Sequence, residues 1–309
     1  MLADFPTFEA FCARFDSELA CINALFEARW PDGFRCPRCR HPRFYLTATR
    51  RLPLYECVSC RHQTSLTAGT VMEGSPTSLV RWFRAFYLLS RPEGISAKRL
   101  SAVIEVTYKT AWLIAHKIRH AMALAEEKEP LKGIVRIETL FYGDYRYLDA
   151  QQPLILAGSF DENEKLTEVS IVQPHPDHVE KKTRRIVPDG IAAFEDKHVE
   201  KSARRTYRDR NAKAREALIP FHVKLPNWLN DTFHGIGAKH LQAYVHEFAH
   251  RWNLSSRGAP ALVSVLGLCA STRRIVYKTL TRDRPMLEVP WRAFGSRSKW
   301  KGSHMRYWG

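Results

Sequence analysis

Four cysteines constrain this chain more than any other feature. They stand as Cys36-Pro37-Arg38-Cys39 and Cys57-Val58-Ser59-Cys60, with seventeen residues between the pairs. A Cys-x-x-Cys turn curls both sulfurs to one side. Two such turns facing each other make a tetrahedron of thiolates, which suits Zn²⁺ and leaves no open position for chemistry. The residues between are strand-like, Arg43 to Leu46 and Leu54 to Glu56, with Arg50-Arg51-Leu52-Pro53 turning between them. The expected unit is a zinc ribbon, too small to fold without its ion. The alternative for this spacing is a pair of disulfides in a secreted module. Met1 to Pro6 has no apolar signal-peptide core, so zinc on Cys36, Cys39, Cys57 and Cys60 is the expectation.

The 309 residues leave room for two or three domains, and 45% hydrophobic residues can supply a sizeable core. The net charge is +16. An excess of that size points to a polyanionic partner, first of all DNA or RNA. No apolar run approaches the ~20 residues needed to span a bilayer. Cys12, Cys21 and Cys269 lie in apolar contexts and read as buried thiols, which fits a reducing, cytoplasmic setting.

Ahead of the ribbon, Thr7 and Ser17 are placed to cap two short helices carrying Phe8, Phe11 and Phe15, then Leu19, Ile22, Leu25 and Phe26. After it, Ser75-Pro76-Thr77 opens a helix whose Leu79, Trp82, Phe83, Phe86 and Tyr87 form an aromatic stripe. At that spacing the stripe reads as core rather than as a stacking platform. Ser96 then caps a short helix to Ile104, Glu105-Val106 turns, and Thr107 starts a longer helix to about Glu127. This is the plan of a helix-turn-helix, in which Lys109, Thr110, His116 and Arg119 are candidates for duplex contact; Lys117 and His120 lie on the same helix. The alternative is an ordinary helical hairpin with a basic solvated face. The basic residues of the ribbon, Arg35, Arg38, Arg40, Arg43, Arg50, Arg51 and Arg61, are open to the same two readings.

The charged stretch Glu126 to Lys132 contains Pro130 and reads as a linker. Beyond it, Val135 to Ile137, Pro153 to Ser159 and Glu168 to Val172 read as strands, Pro188-Asp189-Gly190 as a turn, and Lys197 to Arg215 as a basic solvated run. Gly237 to Asn253 and Ala259 to Cys269 read as helices. Strands followed by helices make this an α+β or mixed α/β domain.

The chain resembles the bacterial insertion-sequence transposases of the zinc-ribbon ISXO-like group. Four stretches carry the resemblance: RWPDGFRCPRC, LYECVSCRHQTSLTAGTVME, RLSAVIEVTYKTAWLIAHKIRHAM and TFHGIGAKHLQAYVHEFAHRWN. It runs from about Phe5 to Leu280. It implies an α+β, multidomain chain: 1–70 N-terminal helices and zinc ribbon, 71–130 a helix-turn-helix segment, 131–280 a ribonuclease-H-like catalytic domain, and 281–309 a basic irregular tail. It also implies double-stranded DNA as partner, at an element's terminal inverted repeats. A homo-oligomer on DNA, a cytoplasmic, nucleoid-associated location and a role in DNA recombination go with it.

The chemistry implied by that resemblance is strand cleavage and transfer by two Mg²⁺ ions. Each ion needs converging oxygen ligands. The family sets these as Asp, Asp and then Glu or Asn, with a Lys close behind the third. Here Glu138 and Thr139 match the first Asp and its following Glu, Asp189 matches the second Asp, Lys224 matches the third ligand, and Pro226 matches the Lys. A protonated Lys cannot ligate Mg²⁺. The expectation is therefore a DNA-binding protein with a degraded catalytic set. The alternatives are an active enzyme using a shifted acid (Glu216, Asp231 or Glu247) and a zinc-ribbon regulator of transcription.

Overall fold

Thr7 and Ser17 accept hydrogen bonds from the amides of Ala10 and Ala20, and so begin α1 (Phe8–Arg14) and α2 (Glu18–Arg29) as their spacing predicts. The computed structural model describes residues 5–47, 51–144, 146–207, 216–282 and 285–287. Its chain forms two compact units, Met1–Ala121 with Pro260–Leu280, and Met122–Ala259 with Thr281–Gly309.

In the first unit, β1 (Phe44–Thr47), β2 (Leu54–Cys57) and β3 (Gln63–Ser65) form an antiparallel sheet in sequence order. Rings of Phe26, Trp30, Phe34, Phe44 and Tyr55 meet at centroid distances of 4.8–6.0 Å and seat this sheet on α2. Arg29 adds two hydrogen bonds to the carbonyls of Ser65 and Leu66. The aromatic stripe of α3 (Leu79–Ser90) is core: Trp82, Phe83 and Phe86 are buried, and Phe15 packs on Phe83. α4 (Ala97–Val103) is capped by Ile104, the φ of 53° at Glu105 makes the tight turn, and α5 (Tyr108–Glu126) follows.

The second unit is built on β4 (Ile134–Tyr142), β5 (Gln152–Phe160), β6 (Leu166–Val172) and β7 (Arg204–Tyr207), in the order β6-β5-β4-β7. Neighbours are antiparallel except β4 and β7, which run parallel. A parallel pair needs a crossover, and the intervening chain supplies it with α6 (Pro188–His198). One face of the sheet, with Leu140, Tyr142, Leu154 and Leu156, packs on α7 (Phe221–Phe233) and α8 (Ala238–Ser256). The other, with Val135, Ile137, Ile155 and Ala157, packs on Phe194 of α6 and on Val199.

Three differences from expectation have simple causes. Pro188-Asp189-Gly190 is the first turn of α6, not an isolated turn, because Pro is at home at the first helical position and Asp complements the helix N-terminus. The basic run from Lys197 holds β7, while 208–215 lie outside the described residues. The expected 131–280 domain divides at Pro260: α9 (Ala261–Ser271) lays Leu262, Val265, Leu266 and Cys269 into the first unit against α2 and α3, and α10 (Tyr277–Leu280) follows it. Most of the expected 281–309 tail lies outside the described residues. No helix among the described residues is long and apolar enough to cross a membrane.

Candidate metal centre

The two cysteine pairs occupy equivalent turns. The amide of Cys36 donates to His41 O at 3.1 Å and that of Cys57 to His62 O at 3.0 Å. The amides of Arg40 and Arg61 close each turn onto Cys36 O and Cys57 O. The sequence repeats with the backbone, as Cys-x-x-Cys-Arg-His at 36–41 and 57–62. This repeat is a signal in the sequence that the spacing of the cysteines alone does not convey.

The strand register brings the turns together, since Phe44 pairs with Cys57. The four sulfurs lie within 4.8 Å of one another, with Cys36–Cys60 at 3.6 Å and Cys39–Cys57 at 3.5 Å. A tetrahedron with Zn–S bonds of about 2.3 Å has edges of about 3.8 Å, so the thiolates fit a zinc ion. All four cysteines are free thiols, and the sulfurs stand well beyond the ~2.05 Å of a disulfide. Without a cation the Cys57 and Cys39 thiols shift in opposite directions. Burial raises the Cys57 thiol, but the amides of Cys60 and Ser59 and the thiols of Cys39 and Cys60 outweigh it and pull it down to about 7. The amide of His41 lowers Cys39, yet the neighbouring thiols of Cys60, Cys57 and Cys36, together with burial, push it up to about 12. One thiolate forms at its neighbour's cost, as close, coupled thiols require.

The acidic candidates do not assemble in this way. Glu138 sits in mid-β4 on the face toward α7, and its Oε2 lies 3.4 Å from His222 Nε2. Lys224 does not approach it. Phe221, Leu225 and Leu229 form the buried stripe of α7, with His222 beside it. At 100° per residue, Lys224 and Asp231 turn to the opposite, exposed face. That helical period is the signal by which His222, rather than Lys224, could have been chosen from the sequence. Asp189 is exposed in the first turn of α6. Of the other acids, Glu216 is exposed, and Glu247 is fully buried and paired with Arg251. Among the described residues, the four cysteines are the one group of three or more His, Cys, Asp or Glu side chains placed to share an ion. The described residues thus offer no set of ligands that fits a Mg²⁺ pair.

The helix-turn-helix candidates divide in two. Lys109 is exposed, and Thr110 is half-buried with its hydroxyl 3.0 Å from that of Thr107. His116 and Arg119 are 2% and 1% exposed, and Lys117 is buried with Nζ donating to Val71 O at 2.9 Å. These three side chains fall in the run 114–119, which is buried on every side of α5, so a basic tally along the helix overstates what it presents. The ribbon arginines Arg35, Arg38, Arg40, Arg43 and Arg61 are all exposed.

Residues 16–63 match the transposase zinc-ribbon domain family. The chain is also 33% identical over 128 residues to an uncharacterized protein in transposable element ISH50 of Halobacterium salinarum. That likeness covers 41% of this chain and 42% of the relative, so the chain spans less than half of the relative it matches. No solved structure matches the chain.

Proposed function

We propose that this protein is an insertion-sequence transposase relative that binds double-stranded DNA at element ends, as a homo-oligomer, and is impaired in cleaving and joining it. One observation carries the binding reading: a closed four-thiolate site in a transposase-type ribbon whose exposed charged residues between 34 and 65 are all arginines among the described residues. A closed site does no chemistry, so the ribbon's contribution is the surface it holds in place. In this reading α4 and α5 are the helix-turn-helix, meeting the duplex through Lys109 at the start of α5. The strand order β6-β5-β4-β7, with its parallel β4–β7 pair, supports a ribonuclease-H-like second unit. A lysine at position 224, unable to ligate Mg²⁺ while protonated, supports the loss of two-metal chemistry.

Two measurements on the full chain test this. Duplex affinity should fall steeply with salt, by about 0.9 log unit per phosphate contact for each tenfold rise, and Lys109→Ala should make the slope shallower. With Mg²⁺ or Mn²⁺ and a nicked terminal-repeat duplex, no strand transfer is expected. Salt-independent binding overturns the first half of the proposal. Robust metal-dependent transfer, abolished by Asp189→Ala, overturns the second.

A further inference from the structure

The residue after the second cysteine is an arginine in both turns, and in both it adopts the left-handed backbone conformation, with φ of 60° at Arg40 and 57° at Arg61. Side chains disfavour that region and glycine enters it freely. Local stability therefore does not account for arginine at either place. Contacts within the protein do little more. Arg40 is exposed and its side chain has no partner among the described residues. Arg61 keeps 67% of its side chain exposed, 3.2 Å from Glu56, in an ion pair of the kind that contributes little in water. Its guanidinium also lies over Tyr45, itself 54% exposed, at 5.6 Å. Glu56 is the one acidic residue between 34 and 65, against seven arginines.

Four thiolates on Zn²⁺ retain roughly two negative charges, which two arginines can offset. That role needs no exposed guanidinium. It also does not explain Arg35, Arg38 and Arg43, which add to the same small module and project into solvent.

We propose that Arg40 and Arg61 are paired phosphate clamps, one on each zinc knuckle, by which the ribbon grips the backbone of duplex DNA. This deepens the DNA-binding reading and rests on it. The contact is to phosphate rather than to base edges, so the ribbon supplies affinity and register while sequence is read elsewhere. The zinc ion fixes the separation of the two clamps, because it holds the two turns together.

The test uses the full, zinc-loaded chain and a fluorescent DNA duplex titrated at several salt concentrations. The double variant Arg40→Gly/Arg61→Gly should bind with a salt slope shallower by about 1.8, that is 0.9 for each lost contact. The double variant Arg40→Lys/Arg61→Lys should keep the slope. Zinc content of the glycine variant should equal that of the wild type, because glycine suits the backbone at both positions. An unchanged slope in the glycine variant, with normal binding by the wild type, overturns the clamps and leaves the DNA-binding reading standing. Zinc loss in the glycine variant also overturns them, since the arginines are then counter-charges of the thiolates. A slope that falls on an RNA duplex but not on DNA overturns the choice of partner. No binding of any duplex by the wild type removes the parent reading and the clamps together.

Discussion

Asn253 offers a quantitative test of how the second unit closes. β6 is an edge strand, and an edge leaves every second N–H and C=O without a strand partner. α8 covers that edge and supplies amides in place of a strand. The Oδ1 of Asn253 accepts from Val169 N at 2.8 Å, and its Nδ2 donates to Val169 O at 3.0 Å and to Glu126 Oε2 at 2.6 Å. Three helical turns earlier, Gln242 does the same for Gln173 N and Ile171 O. Asn253 and Val169 are both buried. Replacing Asn253 with Ala breaks three hydrogen bonds and strands two backbone groups. At the low end of ~1–3 kcal/mol for each stranded group, because water can enter the space left, the loss is roughly 2 kcal/mol. Asn253→Asp should cost more at neutral pH, since it sets a second carboxylate against Glu126. The new carboxyl's folded pKa is then raised, so this extra loss fades as the pH falls and the group is protonated. Urea unfolding gives the energies, and hydrogen exchange of the segment 166–172 locates them. A loss below about 0.5 kcal/mol, with 166–172 as protected as before, would show that the amides merely accompany the edge and do not seal it.

Two further perturbations read other parts of the chain. Cys57→Ser should release the ribbon's zinc and the protection of 34–65; in the native chain acidification should do the same, because protons compete for the thiolates and affinity falls with pH. Metal analysis decides the matter, and a full zinc complement in Cys57→Ser sinks the four-ligand site. A fragment 1–130, cut where the sequence places a linker, lacks α9 and should melt without cooperativity, since each large side chain of α9 removed from the core forfeits about 1.5–3 kcal/mol. Joining 1–121 to 260–280 should restore a cooperative melt. A cooperative melt of 1–130 alone would contradict the division at Pro260.

What the sequence makes legible follows from how local the signal is. The cysteine turns, the caps at Thr7, Ser17 and Ser96, and the aromatic stripe of α3 each depend on residues within a turn or two of one another, and all stand in the structure. β4 was legible only from Val135 to Ile137 because the polar pair Glu138-Thr139 interrupts its apolar run, and beyond it Leu140 and Tyr142 are buried on one face while Phe141 on the other is exposed. Pro188-Asp189-Gly190 looked like a turn because the residues that start a helix are also those that make turns. The return of 260–280 to the first unit is a long-range event that no local pattern encodes. The burial of His116 and Arg119 was hidden for a related reason. Polar residues on an amphipathic helix are assigned to solvent by habit, but residues 114–119 are buried in succession, so α5 has no solvent face there for His116 and Arg119 to occupy.

The acidic set can be argued further from α7. The fold pins Leu225 and Leu229 by burying them, but Lys224 is exposed, so folding does not dictate what stands there. A ligand for an ion near β4 must come from the face of α7 that meets β4, and Glu138 meets His222 there. A carboxylate at position 222 would reach the same space as Glu138, whereas one at 224 would point some 160° away around the helix. We therefore expect His222→Glu to create a weak Mn²⁺ site, completed by water in the manner of hard cations bound by few carboxylates. Lys224→Glu should create none. Electron paramagnetic resonance of added Mn²⁺ measures both variants in the metal-loaded, zinc-replete chain. Binding by Lys224→Glu as tight as by His222→Glu would mean that α7 presents its other face to β4, and the same result would return Lys224 to the ligand position that the family resemblance implies.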